Sequence, residues 1–441
     1  MDKAYPAAWV SLSSAPGAPE QARLIATRTD IEHRWWKSFE DPVLDRLIDE
    51  ALAGNKTVQI AEARVEEARS QRGGTQARLF PDIAATGSAS RANQGYATND
   101  KAVNVADIGV QASWEIDLFG QNCARTIEAT AALQAFDARH DAAIVVLLAD
   151  VARNYFDLRA CESQITITTR NLETQRRTLD LIRRQQTGAL TSDLDVERAA
   201  AQVSTTSAQL PSLRAGYAVA LNRINILLGV PPGTHDSWLH PAAPWTSLAP
   251  TVLIAAPAAV LANRPDVRAA ERSFAASLSA TDAATRAMYP TISLPALFGV
   301  QDSSLLNATP WAIGAGLVQP VLNFGRIQSQ IDVANARQKQ AFLSYQETVL
   351  EALGDMENAL SLYLTETERR GNLAAAVGQN RRSVELADKQ YVSGYIGLLD
   401  VLVAQRSQLE AEASLASSES QLRKNLVYIY TAAGGGWSLS Q

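Results

Sequence analysis

The sequence lacks any run of 18 consecutive apolar residues, although hydrophobic residues make up 46% of the 441-residue chain. A membrane-spanning helix needs about 20 consecutive apolar residues, so helical membrane spans are excluded. The N-terminus also lacks the apolar stretch of a secretory signal, because Met1-Asp2-Lys3 leads into polar sequence. A signal peptide was therefore removed before this sequence begins, or was never part of it.

Residues that carry enzyme or metal chemistry are few, with two cysteines, three methionines and four histidines. Cys123 and Cys161 fall on one predicted helix, about 57 Å apart at a rise of about 1.5 Å per residue, so they cannot form a disulfide with each other. The histidines show no spacing typical of a metal site. The glycines at 434–436 precede no Lys-Ser or Lys-Thr pair, which a phosphate-binding loop requires. We therefore expect no enzyme activity, no cofactor and no bound metal.

Charge of one sign is not in large excess, since the chain has 40 basic and 46 acidic residues. A nucleic-acid-binding surface or an acidic tail would need a clear imbalance, so neither is indicated. The scarcity of methionine argues against a channel dedicated to copper, which prefers sulfur ligands.

A duplication dominates what the sequence does contain. Three landmarks recur 205 or 206 positions later, namely Phe119 as Phe324, Gly188 as Gly394, and Asp195 as Asp400. A period held so evenly along a chain indicates internal repeats. The sequence therefore predicts an extended N-terminal arm at 1–42, a first repeat at 43–229, a proline-rich connector at 230–256, a second repeat at 257–433 and a tail at 434–441.

Each predicted repeat has the same order of elements: helix, two strands, a long helix, a turn and a return helix. Asp41 is the predicted N-cap of the first helix, with Pro42 at its first position. The first repeat comprises a helix at 43–79, strands at 82–92 and 105–118, a long helix at 120–187 and a return helix at 191–228. The second comprises a helix at 257–288, strands at 290–300 and 310–322, a long helix at 325–391 and a return helix at 396–432.

The two long helices have apolar residues at alternating steps of three and four, which is typical of a packed seam. In the first helix the seam is Ile144, Leu148, Val151, Tyr155 and Leu158, and in the second it is Tyr345, Val349, Ala352, Met356, Ala359 and Tyr363. A helix of this length is a rod of about 100 Å, far longer than the average of about 12 residues. Such a rod is expected to span a distance.

The predicted strands have one apolar and one polar face, and each is long enough to cross a bilayer as a tilted strand. In the second strand the predicted lipid-facing residues are Ile108, Val110, Trp114 and Ile116, with Trp114 expected near the middle of the membrane. A sheet inside a membrane must close, because an open edge would leave backbone groups without hydrogen bonds. Four strands cannot close alone, so we expect three copies to form a 12-stranded barrel. The alternative is a soluble four-stranded sheet beside a helical bundle.

Four motifs then resemble one family. They are Ser-Trp-Glu-Ile-Asp-Leu-Phe-Gly at 113–120, Ile-Asn-Ile-Leu-Leu-Gly-Val-Pro-Pro at 224–232, Asn-Arg-Pro-Asp-Val-Arg-Ala-Ala-Glu at 263–271 and Gly-Gly-Gly-Trp at 434–437. Together they are similar to the TolC family of outer-membrane efflux channels, and most of all to its NodT-type lipoprotein branch, which serves tripartite RND efflux systems. The similarity extends from Trp35 to Trp437.

The resemblance implies an α+β membrane protein, in which a trimeric 12-stranded β-barrel with four strands per chain continues as a 12-helix α-barrel. It places the homotrimer in the outer membrane of a Gram-negative bacterium, extending into the periplasm, with outer-membrane lipid around the barrel. The implied partners are a periplasmic adaptor (membrane fusion) protein and an inner-membrane RND transporter. The NodT branch also has a lipid-bearing N-terminal cysteine. None is found here near Met1, so the anchor either precedes this sequence or is lacking.

The resemblance also implies a gate at the periplasmic helix turns. Tyr391, Asp400 and Asp195 match the tyrosine and aspartates of that gate, and Asp193 lies beside them. Ile396 and Val403 stand where the family has an arginine and a second aspartate. Carboxylates repeated by threefold symmetry would form a ring that attracts cations, and Leu399 or Leu402 would supply a hydrophobic plug. The alternative is that Asp193, Asp195 and Asp400 only cap the return helices.

These features predict a passive exit duct that expels small toxic compounds or drugs, as in multidrug resistance. The energy would come from the partner pump, since the sequence has no nucleotide-binding motif. Two alternatives stay open: the exit channel of a type I protein-secretion system, and, in a different class, a soluble coiled-coil scaffold.

Overall fold

The structure is a computed structural model that describes most of the chain. The described residues are 9–11, 25–28, 34–93, 102–188, 191–235, 238–239, 252–303 and 307–437. Much of the predicted arm and connector, the loop at 94–101 and the last four residues of the predicted tail lie outside them.

The first repeat contains four helices and two long strands. Its helices are α1 (Pro42–Gly54), α2 (Lys56–Ala77), α3 (Gln121–Thr187) and α4 (Asp193–Leu227). Its strands are β2 (Asp82–Ala92) and β3 (Val103–Ile116), and a short strand β1 (Ile25–Arg28) precedes the repeat.

The second repeat follows the same order after the short strand β4 (Val252–Ala255). Its helices are α5 (Pro257–Asn263), α6 (Pro265–Arg286), α7 (Arg326–Val392) and α8 (Leu398–Ala432). Its strands are β5 (Thr291–Ser303), β6 (Trp311–Ile313) and β7 (Gly316–Val318).

The duplication is confirmed by matching lengths and matching ends of the helices. Helices α3 and α7 both have 67 residues, and α4 and α8 both have 35. Both return helices end at a glycine with positive φ, Gly229 at 76° and Gly434 at 77°, a backbone region that favours glycine at a helix end. The next amide donates to a carbonyl of the last turn in each case, Val230 to Asn225 and Gly435 to Tyr430.

The long helices are not membrane spans themselves. Among the residues that the structure describes, no helix has both the length and the apolar character needed to cross a bilayer. At a rise of about 1.5 Å per residue, α3 and α7 are rods of about 100 Å.

The single helix predicted at 43–79 is wrong, because it is broken at Asn55. The predicted N-cap at its start is confirmed, since the Asp41 carboxylate accepts hydrogen bonds from the amides of Val43 and Leu44. At the break, a Cβ on Gly54 would lie 2.2 Å from the carbonyl oxygen of Leu228, so the two backbones cross in close contact. The Asn55 side chain then caps α2, while its amide nitrogen donates to the Leu227 carbonyl at 2.8 Å.

The single helix predicted at 257–288 is wrong for a related reason. It is broken at Arg264, which precedes Pro265 and adopts an extended conformation, because a proline disfavours helical geometry in the residue before it. The Arg264 guanidinium donates to the Ala432 carbonyl at 3.0 Å and pairs with Asp355 at 3.1 Å. Ala432 lies 205 positions after Leu227, so Arg264 has the role in the second repeat that Asn55 has in the first.

The chain forms two compact units, and each of them contains segments of both repeats. The first unit comprises 1–60, 141–265 and 350–441, and the second comprises 61–140 and 266–349. In the first unit, most of the predicted seam residues of α3 and α7 are buried in one large core. They are Leu148, Val151, Tyr155, Leu158, Met356, Ala359 and Tyr363. Val349 and Ala352 are buried as well, outside that core.

The predicted extended arm is partly structured and is held within the first unit. Strand β1 pairs in parallel with β4 of the predicted connector, so neither segment is wholly irregular. The Trp9 indole N–H donates to the Ala255 carbonyl at 3.0 Å. A 3-10 helix at Trp35–Phe39 places Trp35 fully inside the core, where it stacks on Tyr430. Indole rings bury large apolar areas, so these contacts anchor the arm.

A buried carboxylate joins three helices of the first unit. Glu412 of α8 is only 2% exposed, and it accepts hydrogen bonds from Arg170 and Asn171 of α3 and from Arg381 of α7. Burial alone would raise the pKa of Glu412, but these hydrogen bonds and the Arg170 charge outweigh it and hold the pKa below its usual value. The long rods are therefore tied to the return helix by a charged contact as well as by apolar packing.

The second unit contains the antiparallel sheet. Strands β2, β3 and β5 lie side by side, and β6 and β7 both pair with the far side of β5. The continuous strand predicted at 310–322 is wrong, since it consists of the two short strands β6 and β7. Pro295 of β5 lies opposite the gap and has no N–H to donate, so only the bond from the Gly314 amide to the Pro295 carbonyl forms there, at 3.0 Å. The other strand bounds differ from those predicted by three residues or fewer.

Candidate functional site

One face of the sheet is apolar across all its strands. The ladder places Ile108 opposite Val300 and Val110 opposite Phe298, and the alternation continues through Ala112, Trp114 and Ile116 to Ala296, Leu294 and Ile292. Ile108 is 75% exposed, and Val110, Phe298 and Val300 are exposed as well. A soluble sheet would bury such a face, so these strands present a surface suited to lipid.

The other face of the sheet is polar along β3. Asp107, Gln111, Ser113 and Glu115 alternate with the apolar residues of β3, and on β2 the Ser88 hydroxyl donates to the Asp107 carboxylate at 2.5 Å. Polar residues on one side and apolar residues on the other are what the lumen and the lipid require of a membrane barrel.

Trp114 shares the apolar face, but it lies near one end of β3 and not at the middle of the strand. It lies two residues before the end of β3, is half-buried, and donates its indole N–H to the Leu79 carbonyl at 3.0 Å. Phe119, which follows β3, stacks on Tyr289, which precedes β5, with ring centroids 5.1 Å apart. Aromatic residues at strand ends are typical of the interface between a membrane and water.

Strand β3 passes into helix α3 through a hydrogen-bonded junction. The Asp117 carboxylate accepts bonds from the amides of Asn122 at 3.0 Å and Cys123 at 2.7 Å, which caps the helix. Arg286 donates to the Phe119 carbonyl at 2.9 Å, and Gly120 turns the chain with φ at 75°. The first rod is thus fixed directly to a strand, with no flexible linker between them.

The two helix turns, which follow α3 and α7, belong to the first unit and have a small core of their own. It contains Leu179, Ile182, Ala199, Leu398 and Leu402, with Tyr391 packed against it. Leu402 is buried within its own chain, whereas Leu399 is exposed. Of the two leucines predicted as a hydrophobic plug, Leu402 therefore packs inside the chain, and only Leu399 is free to project from it.

The predicted gate aspartates lie in the first turns of the return helices α4 and α8. They follow Gly188 and Gly394 by five to seven residues in the sequence, but they lie close to the helix turns. The Asp400 carboxylate accepts a bond from the Gly397 amide at 3.3 Å, and Asp195 accepts one from the Ser192 hydroxyl at 2.8 Å. Asp193 accepts a bond from Gln186 at 2.6 Å. Asp400 therefore has a capping contact and remains exposed, whereas the Asp195 carboxylate is held by Ser192, whose side chain caps α4.

Tyr391 is joined to the other repeat at this end of the first unit. Its hydroxyl donates to the Gln185 side-chain oxygen at 2.8 Å, which connects α7 to α3. Burial raises the pKa of Tyr391, and the nearby Asp195 charge raises it further, so the hydroxyl stays protonated and able to donate. Sequence reasoning missed Gln185. The duplication aligns Tyr391 with Gln186, and only the packing of α3 against α7 shows that the preceding residue is the acceptor.

No group of three or more histidine, cysteine, aspartate or glutamate residues is arranged to hold a metal ion within the described part of the chain.

The comparison with protein families decides the identity of the fold. The family model described as "Outer membrane efflux protein" matches residues 47–230 and 256–435, which is most of the chain and includes both repeats. The chain belongs to the outer membrane efflux protein family.

Its relatives cover nearly the whole sequence. Nodulation protein T of Rhizobium leguminosarum bv. trifolii is 29% identical over 92% of this chain and 88% of its own length. The pyoverdine export outer membrane protein OpmQ of Pseudomonas aeruginosa is also 29% identical, over 97% of this chain and 93% of its own. The predicted resemblance to the NodT-like members of the TolC family is confirmed.

Solved structures agree with this membership. The outer-membrane channel OprN is 30% identical, with a TM-score of 0.89 over 99% of this chain and 98% of its own. The open state of the MtrE outer membrane channel of Neisseria gonorrhoeae is 27% identical, with a TM-score of 0.84 over 99% and 98%.

This chain is one subunit of a trimeric outer-membrane channel, in which three copies form a 12-stranded barrel that continues as helices into the periplasm. The expected soluble alternatives, a sheet beside a helical bundle and a coiled-coil scaffold, are therefore wrong. As expected, the protein is a transport duct and not an enzyme.

The assignment of faces gives a first prediction. Ile108→Arg should prevent barrel assembly, because a basic residue near the middle of the lipid face costs about 2–4 kcal/mol in each of three copies. Gln111→Arg, three residues away on the polar face, should assemble. The measurement is the amount of heat-labile trimer in purified outer membranes. Equal yields from the two variants would show that the faces are assigned wrongly.

Proposed function

We propose that this protein is the passive exit duct of a tripartite efflux pump, working with a periplasmic adaptor protein and an inner-membrane RND transporter. The supporting observation is the junction at which the Asp117 carboxylate caps α3 directly after β3. A membrane strand fixed to a rod of about 100 Å suits a duct that begins in the outer membrane and continues into the periplasm.

The proposed duct does no energy-consuming work of its own. The glycines at 434–436 end helix α8, and a Cβ on Gly434 would lie 3.0 Å from the Cα of Arg264, so this segment packs against the chain. It has neither the lysine nor the open loop of a phosphate site. The energy for export would come from the inner-membrane partner.

We propose small organic compounds, including drugs and other toxic molecules, as the cargo. Relatives of similar identity are described as pyoverdine export, toluene efflux and cation efflux proteins, so the family handles more than one class. With only three methionines, this chain has few of the soft sulfur ligands that copper prefers. A protein cargo, as in type I secretion, is the alternative.

A sensitivity panel tests the cargo. A strain that lacks this protein should become more sensitive to several organic solvents or drugs, and complementation with this chain should restore resistance. Complementation with the Ile108→Arg variant should not restore it, whereas Gln111→Arg should. A panel in which only copper or silver resistance changes, or only a secreted protein is lost from the medium, would contradict the proposed cargo.

We further propose that the helix turns form the periplasmic gate. Tyr391 would hold α7 to α3 through Gln185, and Asp195, Asp193 and Leu399 would lie near the opening, with Leu402 supporting them from the small core. The exposed Asp400 would form a ring with its two symmetry mates. Two carboxylates roughly 6 Å apart repel by about 3 kcal/mol at an effective dielectric constant near 20, so the closed ring would favour bound cations.

The gate proposal predicts the behaviour of two variants at Asp400. Asp400→Asn removes the charge but keeps an oxygen that can accept the Gly397 amide, whereas Asp400→Ala removes both. If the ring binds cations, both variants should weaken the block of conductance by added divalent cations roughly alike. The measurement is single-channel recording in planar bilayers.

The same pair of variants isolates the capping role. Loss of the cap alone costs about 1 kcal/mol of helix stability, and Asp400→Asn should avoid most of that cost. A block that stays unchanged in both variants would leave Asp400 as a helix cap only.

A further inference from the structure

The second unit contains an aromatic stack that joins two neighbouring strands. Phe119 follows β3 and Tyr289 precedes β5, and the rings lie 5.1 Å apart at an interplanar angle of 8°. Strands β3 and β5 are paired, which brings the end of one next to the start of the other. The stack therefore sits where two adjacent strands meet their helices.

The duplication gives each ring a counterpart. Phe324 lies 205 positions after Phe119 and also follows the last strand of its repeat, whereas Phe80 lies 209 positions before Tyr289 and likewise precedes a proline and a strand. Phe324 is 91% exposed and Phe80 is 67% exposed, compared with 36% for Phe119 and 50% for Tyr289. The counterparts do not stack within the chain.

Sheet topology explains why they do not meet. Phe80 leads into β2, which forms one edge of the sheet, and Phe324 follows β7, which lies at the other edge. When three copies close the barrel, the β7 edge of one copy must pair with the β2 edge of the next, because every strand needs two neighbours. That pairing is the equivalent of the β3–β5 pairing inside one chain.

We propose that Phe324 stacks on Phe80 of the next copy, so that the trimer repeats between chains the Phe119–Tyr289 stack found within each chain. Three such stacks would lie around the barrel at the level where strands become helices. The partner of this surface is thus a second copy of the same chain, and the contact is a ring pair of defined geometry.

The strand register supports the same pairing independently. Ile116 lies opposite Ile292 within the chain. The offset of 205 positions relates Ile116 to Val321, and the offset of 209 relates Ile292 to Ile83, so Val321 should lie opposite Ile83 of the next copy. Ile83 pairs with Ala112 on the apolar face, and Val321 lies four residues after Leu317, which pairs with Ile292 on that face. The apolar face therefore stays continuous across the boundary, whereas a slip of one residue would interrupt it.

Cross-linking tests the proposal in the assembled trimer. In a background with Cys123→Ser and Cys161→Ser, the variant with Phe80→Cys and Phe324→Cys is treated with a short bifunctional thiol reagent. The calibrating variant has Phe119→Cys and Tyr289→Cys, whose side chains have the known stacked geometry. The products are separated on a denaturing gel, and linked peptides are identified by mass spectrometry.

Covalent trimers are expected from the Phe80 and Phe324 pair, and only a link within one chain from the calibrating pair. Neither single-cysteine variant at these positions can form a covalent trimer. If the calibrating pair is linked while the Phe80 and Phe324 pair stays monomeric on the gel, the proposal is overturned, and Phe324 contacts lipid instead.

A double-mutant cycle covers the case in which the cysteine pair fails to assemble. Phe80→Leu and Phe324→Leu keep apolar side chains at both positions, and trimer dissociation is measured against detergent concentration. A ring pair predicts a coupling of roughly two- to tenfold in the dissociation constant for each of the three stacks, and the second substitution should add little to the first. Effects that simply multiply would overturn the stack, because two rings that each contact lipid act independently.

Discussion

A strand inside a membrane has no water to satisfy its backbone, and this constraint governs the whole molecule. Each chain supplies a sheet with two open edges, β2 on one side and β6 with β7 on the other. Hydrocarbon tolerates no open edge, so the sheet has to be completed by other copies. In a closed barrel we expect the apolar face around Ile108 to lie towards lipid and the polar face around Asp107 to lie towards the lumen.

The duplication is the means by which one chain supplies equivalent parts to that assembly. Rods of equal length and return helices with equal caps follow each pair of strands. The repeats differ where their surroundings differ. Asn55 and Arg264 make the same contact with different side chains, and Tyr391 takes the place that Gln186 has in the first repeat.

Much of this was accessible from the sequence because it depends on local periodicity. Steps of three and four predicted the rods and their buried seams, and strict alternation predicted the two faces of β3. The N-cap at Asp41 could be predicted because aspartate is a preferred N-cap and proline is preferred at the first helical position. The break between β6 and β7 could also have been predicted, since Pro295 of β5 has no N–H and leaves a gap in the ladder opposite it.

The break at Arg264 could also be read locally from Pro265, whereas other errors arose where distant segments meet. The break at Asn55 depends on the approach of Gly54 to the backbone of Leu228, more than 170 positions away, and no local pattern records it. The contrast between buried Leu402 and exposed Leu399 depends on how the helices pack at the turn. The partner of Tyr391 is likewise set by packing between repeats.

The central claim is that closing the sheet requires three copies, and the mass of the detergent-solubilised protein tests it most directly. Light scattering coupled to size exclusion, corrected for bound detergent, should give three times the 47.5 kDa mass of the chain. A stable species with the mass of one or two chains would contradict the closed barrel and the duct built upon it.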